Sequence, residues 1–129
     1  MKFLQPGGWA RPSGYANGVA VSGRAVYVSG MIGWDAQGVF HTDDFAQQVR
    51  QALLNIVAVL AEGGAGPEHI VRMVWYIMDK QEYLAAQTAI GQIYREVIGR
   101  HFPTMTVVQV AALLEDRARV EIEVTAIVP

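Results

Sequence analysis

The chain has 129 residues, no cysteine, and a formal net charge of −2 from ten basic and twelve acidic side chains. With 52% hydrophobic and only 17% charged residues, it reads as one ordered domain over 1–129 rather than a disordered chain. The missing cysteine excludes disulfide frameworks, thiol catalysis and thiolate metal sites, and it fits a reducing cytoplasm. The slight acidic balance argues against nucleic acid as a partner. No apolar run approaches the ~20 residues that a spanning helix needs, which argues against a membrane.

Residues 1–14 are rich in glycine and proline and predict an irregular lead-in. Gly18–Val21 and Ala25–Val28 are short β-type runs, and Ser22-Gly23-Arg24 between them predicts a tight hairpin. Gly30, Gly33 and Gly38 then punctuate a loop. A helix capped by Thr42 or Asp43 is expected from about Asp44, because Phe45, Val49, Leu53, Ile56 and Leu60 recur at helical spacing. Gln47, Gln48, Arg50 and Gln51 fall largely off that stripe, and Gly63-Gly64 stops the helix. Ile70–Met78 predicts a strand covered on both faces. Residues 81–98 predict a second helix, with Gly91 inside it at a cost of about 1 kcal/mol against alanine. Met105–Val110 and Val120–Val128 are further strands. The order β-β-α-β-α-β-β predicts an α+β fold with one sheet and two helices on one face. The other face would then be bare and apolar, which predicts self-association through it.

Local patterns carry little chemistry on their own. His41, His69 and His101 lack ligand spacing and read as solvated loop residues rather than a metal site. The three serines include no nucleophile elbow, and Ser29-Gly30 reads as a strand-end turn. Gly63-Gly64-Ala65-Gly66 follows a helix, so it is a helix stop rather than a phosphate loop. Glu121 and Glu123 share one face of a strand. They are ordinary surface charges if that face is wet. If it meets another subunit, one becomes a carboxylate able to hold or activate water.

Several segments in order resemble the Rid family (reactive intermediate deaminases, or YjgF family). They are Gly14-Tyr15, Val26–Asp35, Gln48–Ile56, the Gly63–Ala65 stop, Phe102-Pro103, Val107–Leu113 and Val120–Val124. The resemblance implies a fold similar to trimeric bacterial chorismate mutase, and a homotrimer with pockets between subunits. It also implies cofactor-free and metal-free hydrolysis of enamine or imine metabolites, with Glu121 as the catalytic, water-orienting residue. Tyr15, Ser29, Gly30, Met31 and Trp34 are the substrate-binding positions of its first half, and Gly91, Met105 and Gln109 those of its second. The chain departs from the family at Met105, where active deaminases carry an arginine that clamps the substrate carboxylate. Met31 and Gly91 depart too, from a glutamine and an asparagine. A more apolar pocket with added room at Gly91 follows, suited to a substrate larger, flatter or less anionic than 2-aminoacrylate. Arg11 is a candidate replacement cation. A non-catalytic small-molecule-binding trimer is the alternative.

Overall fold

The computed structural model describes residues 1–129. Its elements are β1 (Lys2–Leu4), β2 (Gly18–Ala20), β3 (Arg24–Ile32), α1 (Phe45–Glu62), β4 (Ile70–Ile77), α2 (Lys80–Ala85), α3 (Gln87–Val97), β5 (Thr104–Gln109) and β6 (Val120–Val128). β3, β6, β4 and β5 form a mixed sheet in that order, with β4 and β5 parallel and the other pairs antiparallel. The α+β reading therefore stands, with helices covering one face.

The predicted hairpin does not form. β2 pairs with β1, inside the stretch expected to be irregular, while β3 pairs with β6. The chain at Gly23 runs against the end of β6, where a Cβ would lie 2.2 Å from the Val128 carbonyl oxygen. Only glycine fits there. The turn thus delivers β3 to the C-terminal strand rather than back onto β2. The second helix is also two helices, broken at Ala86, whose N–H reaches both the Glu82 and Tyr83 carbonyls. Ala85, Ala86 and Gln87 are good helix formers, so tertiary packing imposes the break. Tyr83 is held edge-on against Trp75 and Phe45, each at 6.3 Å between ring centroids.

The core lies between the sheet and the helices. Met73, Trp75 and Ile77 of β4 alternate inward beside Val120, Ile122 and Val124 of β6. α1 covers them with Val49, Leu53, Ile56 and Leu60. Asp44 caps α1 by accepting the Gln47 N–H, worth about 1 kcal/mol. The expectation for Gln48 fails: it is fully buried. It lies three residues after Phe45 and four before Ala52, so the helix turns it inward. Its amide donates to the carbonyls of Thr42 and Arg117, each at 3.0 Å, and accepts the Arg119 N–H at 2.8 Å.

The opposite sheet face carries no helix, but it is not simply apolar. Tyr27, Arg72, Val74, Tyr76, Glu121, Glu123 and Thr125 share it by register. The alternation of β6 places its two glutamates there.

Replacing Gln48 with leucine keeps the volume and removes three buried hydrogen bonds. Unsatisfied buried groups cost about 1–3 kcal/mol each, so Gln48→Leu should lose about 3 kcal/mol or more in a urea titration. A loss below about 1 kcal/mol would show that water replaces the amide.

Candidate functional site

The Ser29-Gly30 pair lies within β3, not at its end. Register shifts between Val28, opposite Val124, and Met31, opposite Ile122, so two residues of β3 face the single residue Glu123. This is a β-bulge, a device that bends a strand and re-aims its groups. Gly30 is needed for a second reason. A Cβ there would stand 2.4 Å from Oε2 of Glu121, whose carboxylate lies across the bulge. Glu121 makes no side-chain hydrogen bond within the chain, so its oxygens are available to a ligand or a water. Glu123, by contrast, accepts the Tyr76 hydroxyl hydrogen bond. That bond holds the Tyr76 proton and raises its pKa, aided by desolvation. One glutamate of the pair is thus engaged and the other free.

A second group lies on the helix side of the sheet. A cavity of about 630 Å³ opens between α3 and the β4–β5 pair, and it brings Tyr15, Gly91 and Met105 together. Met105 points into it because β5 alternates, pairing Met105 with inward Met73 and Val107 with inward Trp75. Tyr15 is delivered by the N-terminal loop, which is tied to β5 where the Ala16 N–H donates to the Pro103 carbonyl at 2.9 Å. Gly91 leaves open space on α3: a Cβ there would meet only Nη1 of Arg95, at 3.6 Å. Tyr94 is buried, which pushes its pKa up. Its hydroxyl donates to the His101 carbonyl at 2.6 Å, and its ring stacks on Phe102 at 5.6 Å.

The remaining predicted positions lie elsewhere. Met31 packs against the core. Trp34 packs on Phe40 at 5.9 Å, while Asn55 holds its carbonyl. Gln109 accepts the Lys80 N–H at 2.8 Å, at the start of α2. Arg11 lines a separate groove with Phe3, Arg100 and His101, which shares only Tyr15 and Phe102 with the main cavity. Two histidines are structural rather than solvated. His69 accepts the Gly66 N–H, and half-buried His101 bonds the Ile70 carbonyl at 2.6 Å. The sequence reading missed Arg95, whose only signal was its position one turn beyond Gly91.

Within one protomer the two groups cannot touch one small molecule. Glu121 faces away from the helices, Met105 faces toward them, and β4 stands between their strands. Two strand spacings alone are ~10 Å.

Gly30→Ala should keep the fold and force the Glu121 carboxylate out of its place across the bulge. A crystal structure of the variant checks this; an unmoved Glu121 would contradict the tight contact.

A family profile described as Endoribonuclease L-PSP matches residues 10–128. The 2-iminobutanoate/2-iminopropanoate deaminase of Capra hircus is 31% identical over 114 residues, 88% of this chain and 79% of that protein. The crystal structure of a Rid-family protein of unknown function from Yersinia pestis, YyfB, superposes with a TM-score of 0.86 at 29% identity, covering 98% of both chains. That of TdcF from Escherichia coli with bound serine superposes at 0.70, 29% identical and covering both chains fully. With that fold, the bulge and the cavity in place, the chain belongs to the Rid (YjgF) family.

Proposed function

We propose that the protein is a cofactor-free hydrolase of an enamine or imine larger or less anionic than 2-aminoacrylate, acting in pockets between the subunits of a homotrimer. The observation that carries this reading is the free Glu121 carboxylate laid across the Ser29-Gly30 bulge. A carboxylate in that position holds a water and takes its proton as the oxygen adds to the imine carbon. The nitrogen gains protons, the C–N bond breaks, and ammonia leaves a carbonyl product: R₂C=NH + H₂O → R₂C=O + NH₃. The goat relative's name as a 2-imino acid deaminase supports the reaction class. The serine bound to TdcF supports a small-molecule site.

The separation of the two groups supports the subunit interface. A second copy brings its Glu121 and bulge over the first copy's cavity, which no motion within one protomer achieves. Met105 supports the competing reading, a trimer that binds a metabolite without turnover, because methionine offers neither charge nor donor to a substrate carboxylate.

Two variants separate these readings. Glu121→Gln should lower ammonia release by ~10²–10⁴-fold, the usual worth of a general base, with its melting temperature unchanged. Gly91→Leu, filling the cavity wall, should also be inactive. Refolding the two together should restore about a quarter of the sites if oligomers mix at random, because each intact site draws its halves from different protomers. Full activity of Glu121→Gln would sink the hydrolase reading. No recovery on mixing would sink the shared site.

A further inference from the structure

We infer that Arg95 is the anion-binding residue of this cavity, and that the ligand class is an aromatic 2-imino acid or its enamine tautomer. The inference rests on the hydrolase reading for the reacting group, while the binding site stands on its own geometry.

Arg95 is the only charged residue lining the cavity, which holds no carboxylate. The guanidinium makes no hydrogen bond and no ion pair within the chain. Its neighbour Glu96 is already held by Arg50 at 2.8 Å and by Gln92 at 3.2 Å. Arg95 is exposed at the cavity's edge, and an unpaired cation with free donors beside an acid-free cavity favours an anion; a guanidinium matches a carboxylate with two parallel N–H···O bonds. Gly91 is what lets this happen. Arg95 follows it by one turn on the same helix face, and its Nη1 sits just beyond the space that a side chain at Gly91 would occupy. The charge absent at Met105 on the strand is thereby supplied from the helix.

The rest of the lining sets the size and character of the ligand. Tyr15, Trp75, Tyr83, Tyr94 and Phe102 all contribute to the wall. Such surfaces favour a ring by edge and face contacts. Met105, flexible and polarizable, packs well against an aromatic edge. A volume of about 630 Å³ lies well within the range of sites for ring-bearing ligands and leaves a three-carbon acid loosely held.

The test is calorimetric titration with three stable probes: phenylpyruvate, pyruvate, and phenylacetone, which keeps ring and ketone but lacks the carboxylate. Wild type should bind phenylpyruvate at least ~10-fold tighter than either other probe, the scale of one charged hydrogen bond. Arg95→Gln should bring phenylpyruvate down to the phenylacetone level and leave phenylacetone unchanged. Arg95→Lys should recover part of the difference. Gly91→Leu, with Arg95 intact, should weaken both aromatic probes. Unaltered phenylpyruvate binding in Arg95→Gln would overturn the proposal, as would equal binding of phenylacetone and phenylpyruvate by wild type. Ammonia release from the phenylalanine-derived imine, measured on the same samples, keeps the two readings apart. Binding through Arg95 without ammonia release overturns the hydrolase reading and supports the anion site. Release that is indifferent to Arg95→Gln overturns the anion site and supports the hydrolase.

Discussion

A single buried amide, that of Gln48, fixes where the two strands of the reactive group begin and end. Its three hydrogen bonds join α1 to the segment before the helix and to Arg117 and Arg119, just ahead of β6. The end of β3 is pinned to the same residue, because a Cβ on Gly33 would come within 2.6 Å of the Gln48 Cβ. Asn55, two turns along α1, then holds the carbonyls of Ile32 and Trp34. β3 and β6 are therefore anchored to one helix at the ends nearest Glu121. The bulge forms beside these anchored ends, which hold the two strands in register next to it. An apolar residue at position 48 satisfies the helix but none of these joints.

The fold then divides its chemistry between two faces of one sheet. Alternation along β6 sends Ile122 and Val124 into the core and leaves Glu121 and Glu123 outside. Alternation along β5 sends Met105 and Val107 inward, toward the helices. The period of two makes this division unavoidable for any sequence that keeps the core. A small substrate that needs both the carboxylate and the cavity can find them only across two copies. This gives the proposed subunit interface a chemical reason as well as a packing one. Tyr27, 77% exposed on the uncovered face, is the kind of large amphipathic residue that such contacts use.

Much of this was legible in the sequence, and the failures have physical causes. The long helix and β6 were visible from their periods, and β4 from an apolar run that suggested cover on both faces, although helices cover only one. The Ser22-Gly23-Arg24 turn looked like a hairpin because local turn chemistry cannot report which strand the chain meets next. Gly23 answers to Val128, more than a hundred residues away. The break at Ala86 had no local signal at all. Gln48 looked like a surface residue because composition weighs its amide as polar, whereas its position relative to Phe45 and Ala52 puts it inside. In the site, Tyr15, Gly91 and Met105 were found to converge. Gln109, Met31 and Trp34 do not line that cavity within one chain: the first accepts the Lys80 N–H and the others pack locally. Motif position along a strand says nothing of which edge or face the strand will occupy.

Arg95 shows why the loss of one side chain is a weak guide to the loss of its role. Read along β5, Met105 removes a cation and leaves an apolar wall. In three dimensions, the helix across the cavity bears on the same question. Gly91 leaves open space on the helix, and the residue one turn later carries a guanidinium that the protein itself does not neutralise. A charge brought in from the helix sits farther from the strand than one rooted at position 105, so the anion proposed to bind it would lie toward α3. On the proposed hydrolase reading, the carbon to be attacked would still have to reach a carboxylate and bulge supplied by a second copy. A longer ligand spans those two points and a short one does not. The same pair of positions that suggests a degraded site in the sequence thus fits, on the proposed reading, a site of changed length.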